Sequence, residues 1–319
     1  MIFPSPEELG RRIREVSGRF KGDQPQIIED TSDFMSIDEG GVLRLDGNDY
    51  LVMGNAREGR FGIDEQPKFW VKNAIDLTTR ERKIIKLVFH ESFTSRIGAD
   101  VFHCVRNPEK EAAILREMQG DPHFMQGISL HDVVGNIVRV IDFIPGPSLF
   151  DYLRRIEMPH EKYYHELFGS ILKSVIACIE ALARLHSGGM HHGDIRADHI
   201  LLFDRSSRYV WIDFDYEISH PEYDLFCLGN IISQVAGKGR HSQHDISQRP
   251  SDYPDFKSPL DPGDMSLMFP HRVANLGKLF PHLSPQLSDI LAHFSAGATN
   301  RYRSIDELLT DLHRLDLPG

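Results

Sequence analysis

The feature that most restricts the fold is a change of hydrophobic period near residue 144. Before it, short apolar runs are separated by turn residues. Val42–Leu45 and residues 50–53 flank Asp46-Gly47-Asn48-Asp49, and residues 69–76 and 83–89 flank Leu77-Thr78-Thr79-Arg80-Glu81. Both patterns predict hairpins. Runs near 124–130 and 136–143 predict two more strands. Two helices interrupt them. Ser5-Pro6-Glu7-Glu8 opens one, with Leu9, Ile13, Val16 and Phe20 at helical spacing. Asn107-Pro108 opens the other and sets Glu111, Leu115 and Met118 on one side. After Pro145-Gly146-Pro147 the period becomes helical. Residues 163–186 carry Leu167, Ile171, Val175, Ile179 and Leu182 on one face, and helices follow at 225–235, 283–294 and 304–315. A short hairpin is expected across 200–203 and 209–214, and residues 237–264 read as a long surface loop. Strands first and helices second is the order of an α+β fold.

At 319 residues the chain can hold one large domain or two modest ones. We expect an extension over 1–48, a strand-rich part over 49–144 and a helical part over 145–319. The extension either holds a partner or covers an exposed sheet edge. A net charge of −11 argues against nucleic acid and against an anionic membrane surface. The three cysteines, Cys104, Cys178 and Cys227, fit neither a disulfide framework nor a zinc pattern. With no basic and apolar leader pattern, and no apolar run of the roughly 18 residues that span a membrane, the expected location is cytoplasmic.

The chemistry-bearing residues gather around that hairpin. His192-Gly193-Asp194-Ile195-Arg196-Ala197-Asp198-His199 precedes one strand, and Trp211-Ile212-Asp213-Phe214-Asp215 ends the other. Both aspartates are flanked by apolar residues, so each projects from a firm support. Phosphoryl transfer needs an acid to orient the attacking hydroxyl and carboxylates to hold a metal on the phosphates. On these residues alone, two turn aspartates capping a hairpin is an equal alternative.

From about residue 50 to 315 the order of motifs resembles the protein-kinase-like superfamily. His192-Gly193-Asp194 matches the catalytic loop H-R-D-L-x-x-x-N, with Asp194 as base and His199 at the asparagine position. Asp213-Phe214-Asp215 matches the metal-binding D-F-G. Val71-Lys72-Asn73-Ala74 through Ile84-Ile85-Lys86 resembles the strand pair that carries the phosphate-binding lysine. The resemblance makes that lysine Lys86, with Lys72 its rival and Glu111 its partner. Asp142 and Ile144 match the hinge whose backbone meets adenine. Gly54 and Gly59 stand where a phosphate-covering loop is sought, although their spacing departs from G-x-G-x-x-G and an ordinary turn serves as well. Asp224 would brace the catalytic loop, and Arg301 falls at a structural position.

The resemblance implies a bilobal fold, with an antiparallel-sheet N-lobe holding one key helix and a mainly helical C-lobe. It implies ATP with Mg2+, or Mn2+, and a hydroxyl acceptor on a protein or small molecule. Several positions depart from the pattern. The interval from Lys86 to Glu111 is long and carries an extra loop. The stretch from Asp213 to Asp224 has no room for an activation loop, much as in aminoglycoside and choline kinases. His199 replaces an oxygen ligand, Asp215 replaces glycine and is expected to restore the missing carboxylate charge, and Arg196 replaces lysine. The alternatives are a pseudokinase that binds nucleotide and signals by shape, and a scaffold without nucleotide.

Overall fold

The computed structural model describes residues 5–18, 25–60, 63–203, 208–220 and 222–318. Chain packing divides it into two units. One comprises residues 1–91, 107–121 and 125–144, and the other comprises 92–106, 122–124 and 145–319.

The first unit is built on a seven-stranded sheet. Helix α1 (Pro6–Ser17) begins where Ser5 Oγ accepts the Glu8 amide at 3.2 Å, and it ends at Gly18 with φ 60°. Phe20 lies outside the described residues. Strand β1 (Ile27–Ile28) runs parallel to β2 (Val42–Leu45). Strand β3 (Asn48–Arg60) follows through a two-residue turn in which Asp46 and Gly47 have φ 46° and 81°. Two positive φ values match the right-handed twist of the strands, which is why Asp-Gly suits this turn. Strands β4 (Ile63–Asp76) and β5 (Arg82–Lys86) form the next hairpin, where Asp76 Oδ1 accepts the amides of Thr78 and Thr79. Two further strands, β6 (Ser92–Ile97) and β7 (Asp100–Arg106), belong to the second unit. Helix α2 (Pro108–Glu117) then returns to the first. Strands β8 (Gly127–His131) and β9 (Ile137–Asp142) complete the sheet order β1-β2-β3-β4-β5-β9-β8.

Alternation along these strands gives the sheet two apolar faces. Leu43, Leu45, Tyr50, Val52, Ile85, Val138 and Val140 fill one. Val42, Leu51 and Leu77 lie on the other, where Leu9 and Ile13 of α1 bury against them. Burying those two side chains contributes about 2 kcal/mol each. The N-terminal extension thus does two things: α1 covers a face, and β1 and β2 lengthen the sheet.

In the second unit β6 and β7 form a hairpin over Gly98 and Ala99. They join β12 (Tyr216–Ile218) in a three-stranded sheet of order β12-β7-β6. The extra segment between Lys86 and Glu111 is therefore a hairpin rather than a loop. Residues 92–106, expected with the strand-rich part, pack with the helical one. The helices are α3 (Leu149–Arg154), α4 (His160–Tyr163), α5 (Gly169–Ser187), α6 (Tyr223–Ala236), α7 (Gln243–Gln248), α8 (Pro285–Ala292) and α9 (Ile305–Arg314). A π-helical turn at 164–168 joins α4 to α5. The extra residue in that turn rotates the buried face, so Phe168 is buried there and Leu167 only partly. Ile171, Val175, Ile179 and Leu182 are buried in the order their spacing predicts. The 237–264 stretch, read as loop, contains α7, capped reciprocally by Ser242 and Asp245. Strands β10 (Ile200–Phe203) and β11 (Arg208–Trp211) form the short hairpin. Among the described residues no helix is long and apolar enough to cross a membrane.

Candidate functional site

In the first unit, β5 ends on Lys86, and Asn107 starts α2 so that Glu111 falls in its first turn. Lys86 Nζ meets Glu111 Oε1 at 2.6 Å, and Arg139 Nε on β9 meets Glu111 Oε2 at 3.2 Å. Glu111 is fully buried between the two cations. Arg139 also donates to the carbonyls of Ile137 and Leu87, each at 3.3 Å. Desolvating three charges is costly, and a buried ion pair adds little net stability. Such an arrangement serves to fix a cation in place. Arg139 was not anticipated, although an arginine inside an apolar strand is a readable signal of a buried partner.

Lys72, the rival lysine, is fully buried on β4. Its Nζ donates to Phe34 O at 3.0 Å, Ile37 O at 2.6 Å and Asn55 Oδ1 at 2.8 Å. Three donors meet three acceptors, so Lys72 ties the segment before β2 to the sheet. Burial lowers its pKa. Gly54 and Gly59 both stand within β3, and Gly54 lies at a bulge with φ 122°, opposite Asn73. That φ favours glycine. Residues 61 and 62 of the expected glycine loop lie outside the described residues. Asp142 ends β9, where its side chain pairs with Lys83 at 2.7 Å, and Ile144 follows it.

In the second unit three of the expected residues meet. Asp194 precedes a 3-10 turn over 197–199, and that turn brings His199 back. His199 Nδ1 lies 2.8 Å from the Asp194 carbonyl and 3.5 Å from Asp194 Oδ2, while Nε2 lies 3.4 Å from Asp213 Oδ2. A carbonyl only accepts, so Nδ1 carries the hydrogen. In neutral His199 the Nε2 lone pair then faces the Asp213 carboxylate, and a proton or a metal cation between them suits both. The donor set therefore fits a divalent cation. A mixed nitrogen and oxygen pair suits Mn2+ better than Mg2+, which favours oxygen.

Asp213 has φ 70°, a left-handed conformation that costs an L-residue on the order of 1–3 kcal/mol. Its neighbours hold it. Ile212 N donates to His199 O at 3.0 Å, and Phe214 packs on His192 and Phe124 at centroid distances of 4.3 and 5.7 Å. Burial pushes the Asp194 carboxyl up, while the His199 and Arg196 charges hold it back. Arg196 turns to Asp198, with Nε 3.1 Å from Oδ1.

Asp224 opens α6 and accepts the amides of His192 at 2.7 Å and Gly193 at 2.9 Å, and a hydrogen bond from His186 Nε2 at 2.9 Å. Its burial would raise the carboxyl, but the His186 bond and the nearby positive groups hold it at about 2. Gly193 has φ 85°, so the position taken by arginine in the motif is here one that favours glycine.

Asp215 is buried and paired with Arg106 of β7. Arg106 also donates to Tyr216 Oη at 2.6 Å and lies 4.4 Å from the centre of that ring. The carboxylate expected to compensate for His199 thus has a cation of its own. Neither Arg106 nor the strand pairing of Arg106 with Tyr216 was anticipated.

No family model matches the chain. The phosphorylase b kinase gamma catalytic chain, liver/testis isoform, of Bos taurus is 27% identical over 135 residues, covering 42% of this chain and 31% of the relative. The Mus musculus protein of the same description gives the same values. The probable serine/threonine-protein kinase fnkE of Dictyostelium discoideum is 24% identical over 175 residues, covering 44% of this chain and 13% of the relative. The matched stretch thus spans less than a third of these relatives. The mixture of a multi-stranded sheet and helices is compatible with a kinase-like fold, and the similarities support a place in the protein-kinase-like superfamily.

Proposed function

We propose that the chain is an ATP-dependent phosphotransferase acting on a hydroxyl. The acceptor oxygen forms a bond to the γ-phosphorus, the bond from that phosphorus to the β,γ-bridging oxygen breaks, and ADP leaves. The acceptor proton passes to Asp194. Lys86, held by Glu111, serves the nucleotide phosphates. Gly54, Gly59 and the backbone of Asp142 and Ile144 serve the rest of the nucleotide, and Arg196 steadies the transferred group. Asp213 and His199 would hold a divalent cation, which neutralises phosphate charge. Asp215, which also pairs with Arg106, would add its carboxylate charge beside that pair.

The observation that carries the reading is His199, which touches both the proposed base and the proposed metal ligand. The resemblance to protein kinases agrees with it. Incubation with ATP and Mn2+ or Mg2+, followed by mass-spectrometric detection of a phosphorylated product, tests it, with Asp194→Asn as the inactive control. A loss on the order of 10²-fold or more in that variant is expected.

His199 also favours a second reading, a nucleotide-binding module without turnover. Stabilisation by ATP and metal in a thermal melt with no product from any acceptor is the outcome that selects it.

A further inference from the structure

An acidic chain of net charge −11 nevertheless gathers arginines beside its catalytic segment. Arg240 follows α6 and Arg272 lies on the stretch before α8. The two segments are stitched together by a bridge between Ser242 and Arg272 and by the Val273 amide, which donates to His241 O at 2.9 Å. Both arginines line one crevice. Arg240 donates its Nε to Gln234 Oε1 at 3.1 Å, and its guanidinium carbon lies 4.8 Å from the Phe150 ring centre. The Arg272 guanidinium carbon lies 3.9 Å from the Phe269 ring centre, a contact that fixes its plane and uses no N–H donor. Neither has an ion-pair partner among the described residues. Phe150 belongs to α3, and α3 packs on the 197–199 turn, which places Arg240 beside the segment that carries Asp194. Asp198 is already committed to Arg196. Burial, and then the Arg240 charge, pull the Arg272 pKa down to about 10. Two guanidinium groups that line one crevice without an acidic partner repel each other, and a ligand anion relieves that repulsion.

The crevice behind them holds only about 20 Å³, room for a single water. It cannot enclose a sugar or nucleotide, so the ligand must lie across the surface. Arg240 and the neighbouring His271 are exposed there. We propose that Arg240 and Arg272 form an acceptor subsite that reads carboxylate or phosphate side chains flanking the phosphorylated hydroxyl of a peptide. This rests on the phosphotransferase reading and names the substrate class for it.

The test uses the full chain, ATP with Mn2+, and four serine peptides alike except for flanking Ala, Asp, phosphoserine or Arg. The Asp and phosphoserine peptides should exceed the Ala peptide in kcat/KM by about tenfold, one good charge-assisted contact. Their ranking tells carboxylate from phosphate recognition. The variant R240Q/R272Q should bring the ratio of acidic to neutral peptide towards one, and R240E/R272E should favour the Arg-flanked peptide. Single substitutions replace either double variant that fails to melt cooperatively. Equal use of the Asp and Ala peptides overturns the subsite, as does a preference that survives R240Q/R272Q. A second arm measures anisotropy of a fluorescent Asp-flanked peptide on the D194N protein without nucleotide. Binding that depends on the arginines, with no transfer to any peptide, leaves the subsite standing and removes the phosphotransferase. Transfer without acidic preference does the reverse, and absence of both binding and transfer removes the subsite as well.

Discussion

His199 Nε2 lies 3.4 Å from Asp213 Oδ2, with its other ring nitrogen fixed by the Asp194 carbonyl. One imidazole therefore links the proposed base to the proposed metal ligand and offers nitrogen where the kinase motif has an amide oxygen.

Metal preference should follow from that. The protein should work better with Mn2+ than with Mg2+. Substitution H199N, which restores the oxygen, should raise the Mg2+ to Mn2+ activity ratio about tenfold, the scale of a 1.4 kcal/mol change in ligand preference. Initial rates with each metal at saturating ATP decide this. An unchanged ratio would remove His199 from the metal.

Asp224 makes a prediction about stability. It holds two buried backbone amides, at His192 and Gly193, and D224A strands both. A cost of about 2–4 kcal/mol is expected, with loss of transfer because the loop carrying Asp194 slackens. Its folded carboxyl sits at about 2 against an ordinary 3.8. A depressed carboxyl contributes stability above the unfolded value and loses it as pH falls through the folded one. The wild type should therefore lose about 2 kcal/mol between roughly pH 4 and 2 that D224A has already lost. Urea melts across that window measure the difference.

How much of this was readable varied with the distance in sequence between partners. The Asp46-Gly47 turn and the β4–β5 hairpin are local, and their turn residues declare them. The Lys86–Glu111 pair was readable only through the resemblance, because nothing in the spacing alone joins a strand end to a helix start. The β6–β7 hairpin was not seen. Its outer strand is mostly exposed and polar, with Phe93 its one large apolar residue before Ile97, so it lacks a clear period of two. Its third strand, β12, lies far along the chain, and no local pattern announces such a partner. The π-turn before α5 was equally hidden, since one extra residue shifts a helical face without altering composition.

Arg106 and Asp215 show what that hidden sheet does. Removing the guanidinium by R106Q leaves a buried carboxylate short of its cation, at a cost of about 3–5 kcal/mol. It also frees β12 from the ring contact at Tyr216. Adding D215N should recover part of the loss, since two neutral groups replace a stranded charge. Thermal melts of the single and double variants form the cycle, and additive losses would show that the pair does not couple.

His160 should make stability depend on pH near neutrality. It stacks on Phe280 at 3.5 Å, donates Nε2–H to Ala236 O at 2.9 Å and takes a hydrogen bond from His282 through Nδ1 at 2.8 Å. Burial, helped by the neighbouring His282, His241 and Lys238, lowers its pKa from 6.5 to about 3. A buried neutral histidine binds fewer protons than its unfolded counterpart. Its contribution is complete above the unfolded value and fades as pH falls below it, by up to a few kcal/mol. Melting temperature should drop more for the wild type than for H160N between about pH 7.5 and about pH 5. Equal drops would clear His160 of the effect.

Lys72 and Lys86 of the β4–β5 hairpin separate structure from chemistry. Lys72 meets three oxygens inside the first unit, so K72M strands two carbonyls and an amide and should cost about 3 kcal/mol or more. Lys86 is different. In K86M, Glu111 keeps Arg139 at 3.2 Å, so its charge is not abandoned and stability should fall less. Activity should respond in the opposite order, with K86M losing on the order of 10²-fold or more of kcat/KM, the scale of one lost electrostatic contact to a transferring phosphate. Paired measurement of melting temperature and transfer rate reads both effects at once. A K86M protein that is destabilised yet active would give the phosphate-binding role to another residue, and a stable but inactive K72M would point to which one.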